Sequence, residues 1–217
     1  MFKQINYFTV ILISLTVNNL ICASPTFEQQ QIQQQENQNM FQEVNELLIQ
    51  GRNSLNDDLV RQAKNKLSLW LKSSEQTLDH KTLAQALRTR ASASMLLGEI
   101  NDAIDDYKNS NQYDPIGEVQ FGICLLEKTQ GAKPSDLQSC YNKTVQIYAD
   151  KQTTKNDPNY LIARIFNGDK TAIAEYKKLI ETTPESIELE AYTLIAQKLL
   201  DKSVCEQILP ICANNDK

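Results

Sequence analysis

From Met40 onward, apolar residues return every three or four positions along nearly the whole chain, the spacing that places them on one face of an α-helix. Glycines, prolines and short polar runs interrupt this pattern at regular intervals and mark helix ends. No run alternates apolar and polar residues as a half-buried strand does, so the predicted fold class is all-α. The predicted helices are 41–51, 59–70, 80–97, 103–113, 121–130, 134–148, 160–167, 170–182, 185–200 and 204–213.

The first 23 residues have a different pattern, which is typical of a secretory signal peptide. Lys3 precedes the apolar run 7–17, and Ala23 supplies a small residue at the cleavage position. The run is too short to cross a membrane, for which about 20 apolar residues are needed. A lipoprotein signal would make Cys22 the acylated residue, but Ile21 before it is not small. The pattern predicts residues 1–23 as a signal peptide and an exported protein, periplasmic or secreted.

Glutamine dominates the next segment, 24–40, which contains little that a core could bury. Such a composition favours a disordered or loosely helical leader. An oligomerising coiled coil would need apolar heptads over several turns, and these are absent.

An internal repeat organises the rest of the chain. The segment AIDDYK at 103–108 returns as AIAEYK at 172–177, and each copy is closed by a proline, Pro115 or Pro184. The corresponding aromatic positions are Tyr107, Tyr141 and Tyr176, spaced by 34 and then 35 residues. Alanine permits two helices to approach closely, while proline prevents the second helix from continuing. The pattern predicts that Tyr107 and Tyr176 are largely buried between repeats.

A 34-residue period with alanine, an aromatic four residues later and a closing proline resembles the tetratricopeptide repeat. Divergent bacterial helical repeats of slightly varied length are a second description, since Leu137 stands where the small residue belongs. The resemblance implies a right-handed α-α superhelix of about four helix pairs in a domain at 41–217. The implied repeats and C-terminal capping region are 41–74, 82–115, 117–150, 157–184 and 185–217.

The same resemblance implies that the concave face, made by the first helices of successive repeats, binds another protein or peptide. The chain lacks the set of Lys and Asn residues with which chaperone-binding members of the family hold a C-terminal carboxylate. The oligomeric state stays open. On the repeat register the implied partner-binding residues are Gln85, Arg88, Ser92 and Met95 from repeat two and Leu126 and Thr129, beside Val119 and Gly122, from repeat three.

The charge balance restricts the class of partner. The chain has 22 basic and 27 acidic residues, a net charge of −5 and a pI near 5.0. Removal of the signal peptide takes away Lys3 and no acid. Nucleic-acid phosphates and anionic membranes both select basic surfaces. The balance therefore excludes nucleic acid as the expected partner, and the mature chain has no predicted membrane span.

Four cysteines remain after removal of the signal: Cys124, Cys140, Cys205 and Cys212. An even number in an exported protein predicts disulfides, while four buried thiols are the alternative. On the repeat register Cys124 and Cys140 face one another across the seam of a single helix pair. Cys205 and Cys212 are too far apart in an unbroken helix, so their pairing requires the chain to turn at Pro210.

Side chains for catalysis or metal binding are sparse. The single histidine, His80, stands at a predicted helix start, where an exposed position is expected, and no catalytic, metal-binding or phosphate-binding motif occurs. No catalytic residue, metal or cofactor is therefore predicted. Two carboxylate clusters are assigned to solvated helix faces; they are Asp57 with Asp58, and Asp102 with Asp105 and Asp106.

The predicted function is that of an exported, non-enzymatic protein-binding scaffold or adaptor. The alternative is a periplasmic immunity or inhibitor protein that neutralises a secreted toxin, for which a small acidic exported domain is suitable. A hydrolase that uses surface carboxylates is a distant alternative.

Overall fold

The computed structural model describes residues 26–74, 77–151, 157–209 and 211–212. Within these ranges the chain forms ten α-helices and no strand, which confirms the all-α class. The predicted signal peptide lies outside the described residues. The helices are α1 Phe27–Ser54, α2 Asp57–Ser74, α3 His80–Leu96, α4 Ile100–Tyr113, α5 Gly117–Thr129, α6 Pro134–Asp150, α7 Pro158–Phe166, α8 Lys170–Thr182, α9 Ile187–Leu199 and α10 Lys202–Ile208.

The chain divides into two compact units, Met1–Gln38 and Asn39–Lys217. The described part of the first unit is helical from Phe27, where the sequence favours a disordered or loosely helical leader. Its side chains are all exposed or half-exposed. Gln33 Nε2 donates to Asn37 Oδ1 at 3.1 Å, one turn along. Glutamine and glutamate are good helix formers, so helix is available here without a core.

Local capping explains the helix boundaries in the second unit. Asp79 at the start of α3 accepts a hydrogen bond from the backbone N–H of Thr82 at 3.0 Å, and Asp157 does the same for Tyr160 at 2.9 Å. Gly98 and Gly168 follow the ends of α3 and α7 at φ of +73° and +87°, a conformation that favours glycine. Caps and glycines in the sequence therefore fix where most helices begin and end.

The helices pack mostly in sequential pairs, as expected of a helical repeat. The most extensive contacts join α3 with α4, α5 with α6, α2 with α3 and α7 with α8. The pairs α3–α4, α5–α6 and α7–α8 each match one predicted repeat, and α10 returns to pack on α8. The repeat alanines Ala103 and Ala172 are fully buried, as expected of positions where two helices approach closely.

Two apolar clusters form the core of the second unit. The smaller joins α1, α2 and α3, and its buried members are Val44, Ala63, Leu67, Leu71, Leu78, Leu83, Ala86 and Leu87. The larger extends from Ile104 in α4 to Cys212 and includes Phe121, Tyr141 and Tyr148. The core therefore continues through the predicted capping region.

Burial of the repeat tyrosines is complete for Tyr176 and partial for Tyr107. Tyr176 is 0% exposed, and its hydroxyl donates to the carbonyl oxygen of Tyr192 in α9 at 2.9 Å. Tyr107 is only half-buried. Tyr176 is bound to α9 through this hydrogen bond, whereas Tyr107 lines an open surface.

Both predicted disulfides are present. The Cα atoms of Cys124 and Cys140 are 5.7 Å apart across the α5–α6 seam, and those of Cys205 and Cys212 are 5.8 Å apart. The second pair can meet because α10 ends at Ile208, which lets the chain turn before Cys212. All four cysteines are buried. The alternative of four free thiols is wrong.

The assignment of Asp106 to a solvated face is wrong. Its carboxylate is buried and accepts two hydrogen bonds from the Arg90 guanidinium, Nε to Oδ2 at 2.7 Å and Nη2 to Oδ1 at 2.6 Å. This two-point geometry joins α3 to α4 and compensates the charge. Asp102 and Asp105 are exposed as expected, and Asp102 Oδ2 accepts from Lys64 Nζ at 2.7 Å.

Gly117, the first residue of α5, is required by close packing. A Cβ atom at this position would lie 2.6 Å from ring atoms of the buried Tyr148. We expect Gly117→Ala to lower the free energy of unfolding by about 1–3 kcal/mol, because the ring must shift within a filled core. The matched control is Gly122→Ala in the same helix, where a Cβ meets nothing within 4 Å. Urea unfolding should show that control unchanged or stabilised; equal effects of both changes would contradict the packing.

Candidate partner-binding groove

An apolar groove of about 360 Å³ opens between α3, α4 and α5. Met95 lies on the α3 side, Tyr107 on the α4 side, and Val119 and Leu126 on the α5 side. The helices of two successive predicted repeats therefore contribute to one surface. The complete lining is Met95, Tyr107, Glu118, Val119, Gly122, Leu125 and Leu126.

Gly122 creates the open space. It lies in the interior of α5, where glycine costs about 1 kcal/mol relative to alanine. An added Cβ would meet no atom within 4 Å, so no neighbouring side chain requires a glycine there. The effect of Gly122 is instead to leave the Tyr107 ring and the side chains of Val119 and Leu126 accessible from the groove.

Hydrogen bonds hold the polar edge of the groove. The Ser92 hydroxyl donates to the carbonyl oxygen of Arg88 at 3.0 Å, one turn earlier in α3. The Tyr107 hydroxyl, 3.3 Å from Ser92 Oγ, donates to it in turn. These hydrogen bonds tie the hydroxyl of Tyr107 to α3, and Tyr107 lines the groove.

Arg88 acts as a connection between helices. Its Nη1 and Nη2 atoms lie 3.3 Å and 3.4 Å from the carbonyl oxygen and Oδ2 of Asp114, just after α4. Lys151 Nζ approaches the other carboxylate oxygen of Asp114 at 3.4 Å. Arg88 thereby holds α3 against the end of α4, and its guanidinium does not line the groove.

The six residues implied by the repeat register divide into two groups. Met95 and Leu126 line the groove, and Ser92 positions its tyrosine. Gln85 is exposed outside the lining, Arg88 is paired with Asp114, and Thr129 donates its hydroxyl to the Leu126 carbonyl at 2.7 Å. Sequence reasoning missed three lining residues, Tyr107, Glu118 and Leu125. The sequence feature that indicates an open surface here is the glycine in the interior of α5.

Glu118 is the only charged residue of the lining. Burial, with the Glu118 carboxylate as a smaller cause, raises the pKa of the Tyr148 hydroxyl well above its usual value. The groove thus combines an apolar floor, a hydroxyl edge and one negative charge. This chemistry suits an inserted apolar side chain with a cation beside it.

The single histidine of the chain lies outside the groove. His80 is exposed at the start of α3, where its ring centroid is 5.4 Å from that of Tyr113. Across the described ranges, no group of three or more His, Cys, Asp or Glu side chains is arranged to hold a metal ion. None of the described helices combines the length and apolar composition needed to cross a bilayer.

No family model matches the chain, and no curated protein matches it significantly.

Proposed function

We propose that the protein is an exported, non-enzymatic scaffold that holds a segment of a partner protein in the α3–α4–α5 groove. The observation that carries this proposal is the convergence of Met95, Tyr107, Val119 and Leu126 on an apolar opening left by Gly122. In this proposal the sequential helix pairs are tetratricopeptide-like repeats that form a right-handed superhelix, and the groove is part of its concave face.

The size of the groove supports binding of a protein segment. A volume of about 360 Å³ is near the lower end for small-molecule pockets, roughly 300–1,000 Å³, and accommodates one or two side chains. Burial of one apolar side chain there contributes about 1.5–3 kcal/mol. A lysine or arginine of the partner next to that side chain would meet Glu118. The expected segment is therefore an apolar residue with a cationic neighbour.

The disulfides support export. Both Cys124–Cys140 and Cys205–Cys212 belong to the structure, and such bonds persist in oxidising compartments rather than in the cytosol. The signal-like sequence at 1–23 is consistent with the same route.

A groove-filling variant tests the proposal. We expect Gly122→Gln to keep the fold, since a Cβ at this position meets nothing within 4 Å, and to occupy the opening with its side chain. Affinity capture from the exported fraction of the source cells should recover a protein on the wild-type chain. The variant should lose that protein by roughly 10-fold or more, the equivalent of one excluded apolar side chain.

The matched control is Ala149→Gln, which places the same side chain on an exposed position of α6 outside the groove. It should capture the protein as the wild type does. Equal capture by all three chains would contradict the groove as the binding site. Identification of the captured protein as a secreted toxin would indicate the immunity role, whereas an envelope protein would indicate an adaptor.

A further inference from the structure

The outer face of α9 is apolar and uncovered. Ile187 and Leu194 are 86% and 53% exposed, and Ala191, on the turn between them, is exposed as well. The opposite face already packs on the core through Ala196 and its neighbours. Helix α9 is thus apolar on both sides, unlike a surface helix that has one polar face.

Isolated exposed apolar residues elsewhere differ from this face. Leu69 in α2 is 70% exposed, but Leu69 stands alone as a large exposed apolar residue of its helix. Single exposures of this kind are normal on protein surfaces, whereas contiguous apolar surface marks an interaction site. Ile187, Ala191 and Leu194 lie on successive turns and form a continuous stripe.

Carboxylates surround the N-terminal half of the stripe. Glu185, Glu188 and Glu190 lie within six residues, and none of the three forms an ion pair within the described part of the chain. Lys198, the cation of α9, is in its last turn, about 12 Å along the axis from Glu190. The stripe is therefore negative at one end, and its charge is available to a partner.

We propose that the outer face of α9 docks a cationic amphipathic helix of a partner protein. The apolar stripe of that helix packs on Ile187, Ala191 and Leu194, as one helix packs its ridges into the grooves of another. Its lysines or arginines lie over Glu185 and Glu190. Cations are favoured near a helix C-terminus, so the partner helix runs antiparallel to α9 with its basic last turns at the acidic end.

Charge selects this occupant over a second copy of the chain. Two copies of the chain each carry a net charge of −5 and would repel one another. In a pair of α9 helices, the one lysine of each helix would face the three glutamates at the acidic end of the other. Association of like-charged proteins is opposed, whereas opposite charge accelerates and orients binding. The face contributes no residue to the α3–α4–α5 groove, so this inference is independent of the proposed function.

The test uses a synthetic fluorescein-labelled helix of about 14 residues, or four turns, with leucines one turn apart and lysines in the last two turns. Fluorescence anisotropy against the full chain should show binding. A peptide in which glutamate replaces every lysine should not bind. Equal affinity for the two peptides would overturn the proposal.

Three variants locate the site. Leu194→Gln should weaken binding of the lysine peptide by roughly 10-fold, since part of one leucine is no longer buried. Glu190→Gln should weaken it several-fold and reduce its dependence on salt. Leu69→Gln, the matched change on α2, should leave the affinity unchanged. An equal loss of peptide affinity from Leu69→Gln and Leu194→Gln would contradict the outer face of α9 as the binding site.

Sedimentation velocity of the free chain tests whether a second copy of the chain covers the outer face of α9. The proposal predicts a monomer at the concentrations used for the peptide titration. Self-association that disappears in Leu194→Gln would show that a second copy covers this face and would overturn the cationic partner.

Discussion

Tyr176→Ala is expected to lower the free energy of unfolding by about 3–5 kcal/mol, the range for removal of a buried aromatic side chain. Tyr176 is fully buried, and its hydroxyl donates to the Tyr192 carbonyl at 2.9 Å. The change therefore empties a ring-sized volume where α8 meets α9 and removes a hydrogen bond between the two helices. Urea unfolding followed by circular dichroism measures the effect.

Two further variants separate ring packing from the hydrogen bond. Tyr176→Phe keeps the ring and should cost about 1 kcal/mol, the net value of one hydrogen bond. Tyr107→Ala should cost clearly less than Tyr176→Ala, because Tyr107 is half-buried at the groove. A loss below about 1 kcal/mol for Tyr176→Ala, or equal losses for both alanine variants, would show that the packing of α8 against α9 is incorrect.

Removal of the Cys124–Cys140 disulfide should destabilise the protein by about 3 kcal/mol. The bond closes a loop with a sequence separation of 16, and its loss restores conformational freedom to the unfolded chain. For a chain of this size the melting temperature should fall by about 6–12 °C. The variant is Cys124→Ala with Cys140→Ala, compared by thermal unfolding with the oxidised wild type.

The second disulfide provides the internal comparison. Cys205→Ala with Cys212→Ala opens a loop with a separation of only 7, for which the same relation gives about 2 kcal/mol. The main prediction is the order of the two losses in stability, with the larger loss from removal of Cys124–Cys140. A larger loss from the Cys205–Cys212 variant, or peptide mapping that finds Cys124 joined to Cys205 or Cys212, would contradict it.

The helix boundaries could be predicted because local chemistry sets them. Asp79 caps α3 and Gly98 terminates it, Pro134 begins α6, and each of these residues acts through its own backbone or near neighbours. The start of α1 was harder to predict from composition. The glutamine-rich segment from Phe27 lacks a core-forming face, and only the propensity of its residues favours helix.

Sequence reasoning is least complete where the environment of a residue overrides a repeated motif. Tyr107 and Tyr176 occupy the same motif position, but Tyr107 lines the open groove, whereas the hydroxyl of Tyr176 is bound to α9. Asp106 resembles its acidic neighbours in sequence, and only its contact with Arg90 on the preceding helix explains its burial. The repeat register gave four of the seven lining residues, Met95, Val119, Gly122 and Leu126; Tyr107, assigned to the core, was not among them.

Photo-crosslinking from Met95 is the most direct test of partner binding in the groove. A photoreactive phenylalanine analogue replaces Met95, which lines the groove, and in a second chain replaces the exposed Leu69 on α2. Irradiation of cells that export each chain should give a protein adduct from position 95 and none from position 69. The Gly122→Gln change should remove that adduct. No adduct from position 95, or the same adducts from both positions, would contradict the account.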